Sequence, residues 1–504
     1  MPAILDLDGV DVSSAVRGFI EAPRGLLIDG QMVEASDART MPTLDPSTGE
    51  QLALVSEASE QDIDAAVQAA RRAFKSWRWT LPAERGALLL RLADLVEEHS
   101  EELAQLESLD VGKPLADARL GDVPLAVATL RYYAGWVDKV EPELITTRFP
   151  NFHVYTRKEP VGVVGGITAW NFPLVQSCWK LAPAVAVGCT VVLKPAEQAA
   201  LPAVRLAELI IEAGFPPGVV NVCPGTGTRA GAALVAHPGV DKLSFTGSVE
   251  VGRMIAREAG DALKHVSLEL GGKSPHIILP DADMSTAIPT AAAAIFYNTG
   301  QACAAGSRLM VDRSIHDEFL SGVIEETRKL KAGPGLRADT TLGPLISEEQ
   351  RGRVQRYVQS ARDEQVEVAY QADASVEQPF ENGFFVGPTI FNDVPDDATV
   401  AREEIFGPVL VVQTFDSLEE VADRVNESPY GLAAGVWTRD VARAHELAAR
   451  IDSGTIWINC YNYYDPATPW GGFRQSGLGR EVGRLGLEKH LETKTVWTDL
   501  SVPA

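Results

Sequence analysis

The sequence predicts an α/β fold organised around open sheets of parallel strands. Between residues 161 and 246, short apolar runs alternate with stretches whose apolar residues recur at helical spacing, and such alternation indicates parallel strands joined by helices. A second region of this kind starts at about Lys273 and includes a predicted strand at residues 456–459. The chain has 504 residues, of which 45% are hydrophobic, so it is long enough to form more than one domain core.

The first part of the chain contains both helical and strand signals. Residues 1–26 have no clear periodicity, and we expect an arm or a frayed start there. A turn at residues 45–50 (DPSTGE) between short apolar runs predicts two small strands. The spacing of Ser59 and Asp62 predicts the start of an amphipathic helix, and residues 82–108 predict one longer helix with a charged outer face.

Two further segments have the alternation of exposed strands. Residues 154–159 (VYTRKE) lie between Pro150 and Pro160 and interrupt the helical region, as a projecting arm would. Residues 493–500 (TKTVWTDL) alternate as the edge strand of a sheet does. The sequence therefore predicts strands in addition to those of the predicted parallel sheets.

Composition argues against two classes of partner. The chain contains 69 acidic and 45 basic residues, for a net charge of −24, which would repel nucleic acid and anionic membrane surfaces. No run of the sequence approaches the roughly 20 apolar residues that a membrane-spanning helix needs. We therefore expect neither a nucleic-acid nor a membrane partner.

Cysteine usage indicates a reducing compartment. The cysteines are five in number, with no CxxC pair and no metal-ligand spacing: Cys178, Cys189, Cys223, Cys303 and Cys460. This usage fits reduced thiols in a cytoplasmic protein without a bound metal. The first residues (MPAILDLDGVDVSS) are acidic and lack a basic segment followed by a long apolar core, so we expect neither a secretory signal nor a transit peptide there.

Cys303 is the strongest candidate for a nucleophile. Small or polar residues flank it in the stretch 298–307 (NTGQACAAGS). The alanine-rich residues 290–297 predict a helix that Gly300 would end, which leaves Cys303 on an irregular segment held by that helix. Loops on rigid elements often carry nucleophiles, although a lone cysteine is more often a small buried hydrophobic residue. The surroundings of Cys303 must decide between these interpretations.

Two polar residues lie in otherwise apolar surroundings. Glu269 follows an apolar run and precedes a double glycine in residues 268–275 (LELGGKSP). Burial there would raise the pKa of its carboxyl group, as a general base near neutral pH requires. Asn171 lies in residues 169–173 (AWNFP), where its side-chain amide needs a partner and an oxyanion would serve. An ion pair for Glu269 and a turn cap for Asn171 are the structural alternatives.

Two glycine patterns bear on nucleotide binding. Residues 225–231 (GTGTRAG) follow a strand signal but are one residue too long for the GxGxxG fingerprint. Residues 247–252 (GSVEVG) have the spacing of a phosphate loop, yet Arg253 and Met254 follow where Lys and Ser or Thr are needed, so ATP is not expected. This stretch is better explained as a strand-to-helix turn whose Ser248 and backbone N–H groups face a dinucleotide pyrophosphate.

Taken together, these motifs resemble those of the aldehyde dehydrogenase superfamily. The resemblance runs from Leu27 to Trp497. The motifs, in the order of the family, are AWNFP at 169–173, LKPAE at 193–197, FTGS at 245–248, LELGGKSP at 268–275, GQAC at 300–303 and EEIFGPV at 403–409. Six such matches in one order are hard to obtain by chance, so the sequence is identified as a member of this superfamily.

The resemblance implies oxidation of an aldehyde to a carboxylic acid, with Cys303 as the nucleophile. The thiolate would add to the aldehyde carbon, and the resulting oxyanion would be held by the Asn171 amide and the backbone N–H of Cys303. Hydride transfer would leave a thioester, which water activated by Glu269 would hydrolyse. Relatives that pass the acyl group to coenzyme A generally lack this glutamate, so the NAD(P)-dependent, non-acylating branch is implied. Lys180 and Glu481 resemble a proton relay, with a surface ion pair as the alternative.

The cofactor implied by the resemblance is NAD. Lys194 and Glu197 would lie at the adenosine ribose, and Glu404 and Phe406 at the nicotinamide ribose and ring. The full implied set is Ile167, Trp170, Lys194, Glu197, Gly227, Gly247, Ser248, Glu404 and Phe406. A structural ion pair for Glu404 and ordinary core packing for Phe406 are the alternatives. Glu197 would repel a 2′-phosphate, which favours NAD over NADP.

The resemblance also implies a domain organisation. The implied units are a dinucleotide-binding domain (residues 1–137 and 161–272), a catalytic domain that carries the cysteine (273–475) and a β oligomerisation arm (138–160 and 476–504). In the family, the strands of the arm join the sheet of a neighbouring subunit. A homo-oligomer is therefore implied, with a tetramer favoured over a dimer.

The implied substrate is a hydrophobic aldehyde. The positions that resemble the family's substrate tunnel are Phe172, Trp179, Tyr297, Tyr464 and Trp470. Ordinary core packing of these aromatic residues is the alternative. As tunnel walls, they would favour aromatic or medium-to-long aliphatic aldehydes with broad specificity. Ala302 and Ala304 would leave room beside the nucleophile. The same rings could hold a quaternary ammonium group. Betaine aldehyde or an aminoaldehyde is therefore the alternative substrate, with Asp122 or Asp465 as the acidic residue that could approach it.

Two functions of other classes remain at this point. A cysteine hydrolase could use Cys303, Asn171 and Glu269 without a nucleotide, and a catalytically silent relative could be a structural protein. No histidine lies beside Cys303 in the sequence to activate it as in a hydrolase, and a silent relative would be expected to have lost at least one of these residues. A rise in NADH absorbance on adding aldehyde and NAD distinguishes a dehydrogenase from both.

Overall fold

The computed structural model of the protein describes residues 12–374 and 376–501. It contains two large sheets, a three-stranded sheet and a two-stranded sheet. Most neighbouring strands of the large sheets are parallel and are connected by helices, so the predicted α/β fold is confirmed. None of the helices in the described ranges combines the length and apolar composition that crossing a bilayer requires.

The first large sheet has eight strands, five of which run parallel to one another. In spatial order the strands are Gly477–Leu478, His265–Glu269, Lys242–Thr246, Val163–Ile167, Thr190–Lys194, Val220–Val222, Leu26–Ile28 and Gln31–Val33. From Val163–Ile167 the chain first adds strands on one side and then returns to add strands on the other. This strand is therefore the topological switch point, and ligands of open α/β sheets bind at the carboxyl end of such a strand.

Helices cover both faces of the first sheet. Val191 and Val192, which are consecutive residues of the strand Thr190–Lys194, belong to two different buried cores. The core at Val192 is completed by the helix Glu60–Trp77, and the core at Val191 by the helix Pro173–Ala186. The other long helices of this part of the chain are Pro82–Glu98, Ser100–Val111, Val123–Ala134, Leu201–Glu212 and Val249–Asp261. Burial on two sides explains why the strands are continuous apolar runs.

The second large sheet has seven strands, six of them parallel. In spatial order they are Glu367–Gln371, Thr389–Asn392, Val409–Phe415, Arg308–Asp312, Pro275–Ile278, Ala433–Trp437 and Thr455–Ile458. The last of these confirms the strand predicted at residues 456–459. Met310 and Val311 again face different cores. The longer helices of this region are Met284–Phe296, His316–Thr327, Glu348–Asp363, Leu418–Asn426 and Val441–Arg450.

The strand segments predicted outside the large sheets form two small sheets. Phe152–Pro160 pairs antiparallel with Leu491–Asp499 and with Leu144–Ile145, and Leu491–Asp499 is an edge strand, as predicted. Residues 477–478, which we expected in the arm, instead extend the first large sheet beside Glu269. The turn predicted at residues 45–50 joins the two strands of the remaining sheet, which are Thr40–Leu44 and Gln51–Ser56.

One helix near the start of the chain was predicted from the sequence, and another was not. The helix predicted from Ser59 and Asp62 is Glu60–Trp77, and its first turn is closed by a capping box between these two residues. Residues 1–26, which we expected to be an arm or a frayed start, include the helix Ser14–Glu21, so that prediction is wrong for this segment. The part of the prediction that concerns residues 1–11 lies outside the described residues.

The single helix predicted at residues 82–108 is two helices. Pro82–Glu98 ends at His99, which has φ −96° and ψ 23°, and Ser100–Val111 begins directly after it. The ring of His99 contacts the carboxylate of Glu102 at 2.9 Å. Buried apolar residues lie on both sides of the break, and every residue from Leu103 to Val111 in the second helix is buried. The apolar pattern of the sequence therefore gave no sign of the break.

Candidate active site

The predicted motifs of the first sheet meet at one edge. Ile167, Lys194, Thr246 and Glu269 are each the last residue of a strand, and these strands are parallel neighbours. The carboxyl ends of parallel strands lie at the same edge of a sheet. The motifs AWNFP, LKPAE, FTGS and LELGGKSP therefore surround the switch point, although they are far apart in sequence.

The loop that carries Cys303 has an unusual backbone. The helix Met284–Phe296 ends in a short turn, in which Asn298 and Thr299 have φ values of 46° and 56°. Gly300 has φ +74°, and a Cβ atom on it would lie 2.1 Å from the carbonyl oxygen of Gly407. Only glycine fits this contact. The predicted end of the helix at Gly300 is thus also the point at which the loop approaches the EEIFGPV segment.

Side chains from two other segments hold the loop on either side of the cysteine. The Asn171 Nδ2 donates to the carbonyl oxygen of Gln301 at 2.9 Å. The Tyr461 hydroxyl donates to the carbonyl oxygen of Ala304 at 2.8 Å. Cys303 lies between these two anchored residues and is partly exposed. The backbone around the thiol is therefore fixed, while the thiol itself remains reachable.

Cys303 and Glu269 line one cavity of about 580 Å³. The five positions predicted for the substrate tunnel line it as well, and they are Phe172, Trp179, Tyr297, Tyr464 and Trp470. Phe172 and Tyr297 stack with ring centroids 6.1 Å apart, and Tyr464 meets Trp470 edge to face at 5.1 Å. Much of the wall around the thiol is thus formed by mutually packed aromatic rings.

The same cavity has acidic residues in its wall. Besides Glu269 these are Asp117, Asp122, Asp465 and Glu481, and the lining that the structure describes includes no lysine or arginine. Asp122 is paired with the buried Lys113, which also lies 4.2 Å from the centroid of the Phe172 ring. Burial, with a contribution from Asp122, raises the pKa of Asp117 to about 6. An anionic substrate would therefore meet carboxylates and no positive counter-charge in the wall.

Glu269 is buried without a hydrogen-bond partner. The residue is 4% exposed, and neither carboxylate oxygen is bonded to any described residue. Burial raises the pKa of the carboxyl group well above its ordinary value, Glu481 raises it further, and Lys180 and Arg480 offset part of the effect. The ion pair considered for Glu269 is not formed within the described chain, and its carboxylate remains available to accept a proton.

Lys180 and Glu481 form a buried ion pair, so the surface pair considered from the sequence is excluded. The Lys180 Nζ lies 2.8 Å from the Glu481 Oε1, and the two side chains are 0% and 6% exposed. The lysine also donates to the Thr246 hydroxyl at 2.9 Å, and the Ser244 hydroxyl donates to Glu481 at 2.6 Å. Because Glu269 and Glu481 line the same cavity, this network reaches the space next to the buried carboxylate.

Burial raises the pKa of the Cys303 thiol to about 12, and the nearby carboxylates of Glu404 and Glu269 contribute in the same direction. The backbone N–H groups of Ala304 and Cys303 oppose this effect. A thiol in this environment is protonated near neutral pH. Because the thiolate is the reactive form, the site needs a group that can take the proton.

The residues predicted for the adenosine ribose and the pyrophosphate lie at the carboxyl edge of the first sheet. Glu197 lies 3.0 Å from the Nζ of Lys194 and accepts a 3.4 Å hydrogen bond from the N–H of Gly227. Burial opposes ionisation of Glu197, but Lys194 and these hydrogen bonds outweigh it, and its pKa is lowered. Ser248 caps the helix Val249–Asp261, whose N-terminus suits phosphate oxygens.

The residues predicted for the nicotinamide end also come together. The Glu404 carboxylate accepts a 3.1 Å hydrogen bond from the N–H of Gly272 and forms no ion pair with a described residue. Trp170 and Phe406 meet at right angles with ring centroids 5.2 Å apart. The Gln350 amide donates to the carbonyl oxygen of Phe406 at 2.7 Å. Together with the helix N-terminus at Ser248 and the carboxylate of Glu197, these groups fit a dinucleotide.

Sequence reasoning missed several residues of the site. Tyr461 anchors the cysteine loop, and the Nζ of Lys113 lies 4.2 Å from the centroid of the Phe172 ring. Asp117 lines the cavity, and Gln176 donates a hydrogen bond to Asn171. Lys113 follows a helix end, where a lysine is ordinarily solvated, and Gln176 lies in the first turn of a helix. Neither has a local signal, because their roles depend on contacts with distant segments.

Comparison with known proteins identifies the family of the chain. The chain matches the aldehyde dehydrogenase family over residues 32–496. It is 48% identical to an aldehyde dehydrogenase from Bacillus cereus solved as an NAD⁺ complex, with a TM-score of 0.96 over 98% of this chain and 100% of that one. It is 46% identical to the mitochondrial aldehyde dehydrogenase of Homo sapiens, over 94% of this chain and 91% of that protein.

A further relative is the betaine aldehyde dehydrogenase of Bacillus subtilis (strain 168). The two sequences are 42% identical over 94% of this chain and 96% of the relative. The fold and these comparisons define an oxidoreductase of the α/β class. The chain belongs to the aldehyde dehydrogenase family.

Proposed function

We propose that the protein oxidises hydrophobic aldehydes to free carboxylic acids with NAD. The observation that carries the proposal is the cavity in which the partly exposed Cys303 and the buried, unpartnered Glu269 lie together. A nucleophile that forms a thioester and a carboxylate that activates water are both needed for release of a free acid. The aromatic wall of the cavity supports the substrate class.

In the proposed reaction, Cys303 forms the covalent intermediates. Its thiolate attacks the carbonyl carbon, so that a carbon–sulfur bond forms while the carbonyl π electrons move to oxygen. Asn171 and the backbone N–H of Cys303 would donate to that oxygen. This N–H interacts with the thiol of its own residue, beside which the oxyanion would form. NAD, when bound, supplies the acceptor for the hydride that leaves the same carbon. Cys303 then holds the acyl group as a thioester.

Release of the acid is assigned to Glu269. Its carboxylate would take a proton from water as the water oxygen attacks the thioester carbon, and the carbon–sulfur bond then breaks to return the thiolate. The proton would leave through the buried pair Lys180 and Glu481, which borders the same cavity. Burial raises the pKa of Glu269 well above its ordinary value, which makes its carboxylate a stronger base toward water than an exposed glutamate.

For the cofactor, we assign the residues at the carboxyl edge of the first sheet. Lys194 and Glu197 would bind the adenosine ribose, and the Ser248 turn the pyrophosphate. Glu404 would bind the nicotinamide ribose, and Phe406 would flank the ring. The remaining positions of this proposed site are Ile167, Trp170, Gly227 and Gly247. We accordingly assign residues 1–137 and 161–272 to dinucleotide binding and residues 273–475 to the catalytic domain.

NAD should be preferred over NADP. Glu197 is ionised and partly exposed, so it should accept hydrogen bonds from ribose hydroxyls and repel a 2′-phosphate. Comparing kcat/KM for the two cofactors tests this preference. Glu197→Gln should lower the ratio of kcat/KM with NAD to kcat/KM with NADP about tenfold, which corresponds to roughly 1.4 kcal/mol. Glu212→Gln, at the exposed end of the next helix, is the matched control. A clear preference of the unaltered enzyme for NADP would contradict the assignment.

Hydrophobic aldehydes should be the best substrates. Hexanal has four more methylene groups than acetaldehyde, and at about 0.8 kcal/mol per buried group they could raise kcat/KM by up to roughly two-hundredfold. We expect hexanal, benzaldehyde and phenylacetaldehyde to exceed acetaldehyde in a kcat/KM panel that also includes betaine aldehyde. The last compound tests the alternative in which the rings and the nearby acids hold a cation. The highest value for betaine aldehyde, by a wide margin, would contradict the hydrophobic assignment.

We also propose a homo-oligomer, preferably a tetramer, in a reducing compartment such as the cytoplasm. The small sheet of Leu144–Ile145, Phe152–Pro160 and Leu491–Asp499 supports this, because it exposes the packed rings of Phe149, Phe152 and Trp497 next to an edge strand. Such a surface suits burial against a second copy of the chain. The odd number of cysteines and their lack of paired spacing support the compartment.

A further inference from the structure

We propose that Gln176 is a positioning residue that fixes which way the Asn171 amide points. Gln176 lies in the first turn of the helix Pro173–Ala186 and is 6% exposed. It borders the Cys303 cavity, and its side chain reaches back to the turn that carries Asn171. The inference rests on the proposed role of Asn171 as an oxyanion donor and adds the residue that orients it.

A chain of three hydrogen bonds determines both amide orientations. The backbone N–H of Ala169 donates to the Gln176 Oε1 at 2.7 Å. The Gln176 Nε2 donates to the Asn171 Oδ1 at 2.8 Å, and the Asn171 Nδ2 donates to the carbonyl oxygen of Gln301 at 2.9 Å. The first group of the chain is a backbone donor, and the last is a backbone acceptor. Neither backbone group can reverse its role. If either amide flipped, a donor would therefore face a donor or an acceptor would face an acceptor.

This fixed polarity has a consequence for the proposed chemistry. The Nδ2 of Asn171 carries two hydrogens, and the second finds no acceptor among the residues that the structure describes. Gln176 donates to the carbonyl oxygen of the same amide, so this oxygen already has a hydrogen-bond donor. A buried amide that is bonded in this way is also polarised by its neighbours. The free N–H is therefore held ready to donate to an oxyanion.

Methionine at this position has a similar length but lacks both hydrogen-bonding groups. In Gln176→Met, the carbonyl oxygen of Asn171 and the N–H of Ala169 would lose their partners, and the Asn171 amide would be held only through Gln301. We expect the first burst of NADH to slow about tenfold, less than the hundredfold to thousandfold that removal of an oxyanion donor costs. The KM for NAD should not change.

The test is a rapid-mixing double-mutant cycle on the full-length protein with hexanal and NAD. The variants are Gln176→Met, Asn171→Ala and the pair, and the measurement is the rate constant of the NADH burst. If Gln176 acts through Asn171, then Gln176→Met should have no further effect in the Asn171→Ala background. Ser177→Ala is the matched control, because it removes the buried 2.6 Å hydrogen bond to the carbonyl oxygen of Pro173 in the same helix turn.

The outcomes separate this inference from the function on which it rests. A slow burst in Asn171→Ala with a normal burst in Gln176→Met, or additive effects in the pair, would overturn the role of Gln176 alone. A normal burst in Asn171→Ala would overturn the oxyanion role, and the inference with it. If Gln176→Met does not fold, Gln176→Glu at alkaline pH replaces it. The ionised glutamate keeps the acceptor for Ala169 but removes the donor to Asn171, so a slow burst is again expected and a normal one would overturn the inference.

Discussion

Cys303→Ala should abolish NADH formation from every aldehyde. The cavity offers no other cysteine in its described wall, and without a thiolate no intermediate forms from which hydride can leave. Removing a covalent nucleophile costs several orders of magnitude in other enzymes, so we expect a fall in kcat of at least about ten-thousandfold. The measurement is NADH absorbance under saturating NAD and hexanal.

The control for this variant is Cys460→Ala. Cys460 is also partly exposed, but it does not line the cavity. Its replacement should leave turnover close to that of the unaltered enzyme. The thermal unfolding midpoint of both variants should be measured, to check that each is folded. Comparable loss of activity in the two cysteine variants would point to a general effect on the fold. Substantial turnover in Cys303→Ala would remove the covalent mechanism.

Glu269→Gln should complete the first turnover and then stop. The two side chains have nearly the same shape, and no described residue is hydrogen-bonded to the Glu269 carboxylate, so the replacement removes a base without breaking a contact. Rapid mixing with NAD and hexanal should give a burst of NADH with close to normal amplitude. Steady-state turnover should fall by about a hundredfold to ten-thousandfold, the usual contribution of a general base.

The amplitude of this burst matters more than its rate. The raised pKa of Cys303 means that the thiol must lose a proton before it reacts, and Glu269 is one group in the cavity that could take it. Its removal could therefore slow the burst but would leave its amplitude intact. Loss of the burst in Glu269→Gln to the same extent as in Cys303→Ala would contradict the division of roles.

The raised pKa of Glu269 also gives the direction of a pH dependence. Burial favours the protonated carboxyl group, so the base accumulates only as the pH rises above the ordinary range of a glutamate. Acid release by the unaltered enzyme should accordingly increase with pH above that range, because the raised pKa moves the ionisation of Glu269 upward. The Glu269→Gln variant should lose this increase, because its side chain does not titrate.

Much of the fold could be predicted because its signals are local. The capping pair of Ser59 and Asp62 and the strand-to-helix turn at Ser248 are both formed by neighbouring residues. The break at His99 could not be predicted, because buried apolar residues continue on both sides of it. The helix Ser14–Glu21 is a single short element, for which periodicity is a weak signal.

The site was predictable in part for a different reason. Its motifs are short and carry their own chemistry, so Cys303, Glu269 and Asn171 could be selected without knowing that they are close in space. The residues that support them could not. Lys113 is a charged residue that becomes fully buried between Glu107 and Asp122, and such burial depends on packing between segments that only the folded chain brings together.

In the proposed mechanism, Cys303 carries the acyl group and Glu269 releases it. The most direct measurement is mass spectrometry of Glu269→Gln, quenched in acid after one turnover with NAD and hexanal and then digested. We predict a hexanoyl group on the peptide that contains Cys303, and none when NAD is omitted or when Cys303 is also replaced by alanine. A normal burst of NADH without an acylated peptide, or with the acyl group on another residue, would contradict the account.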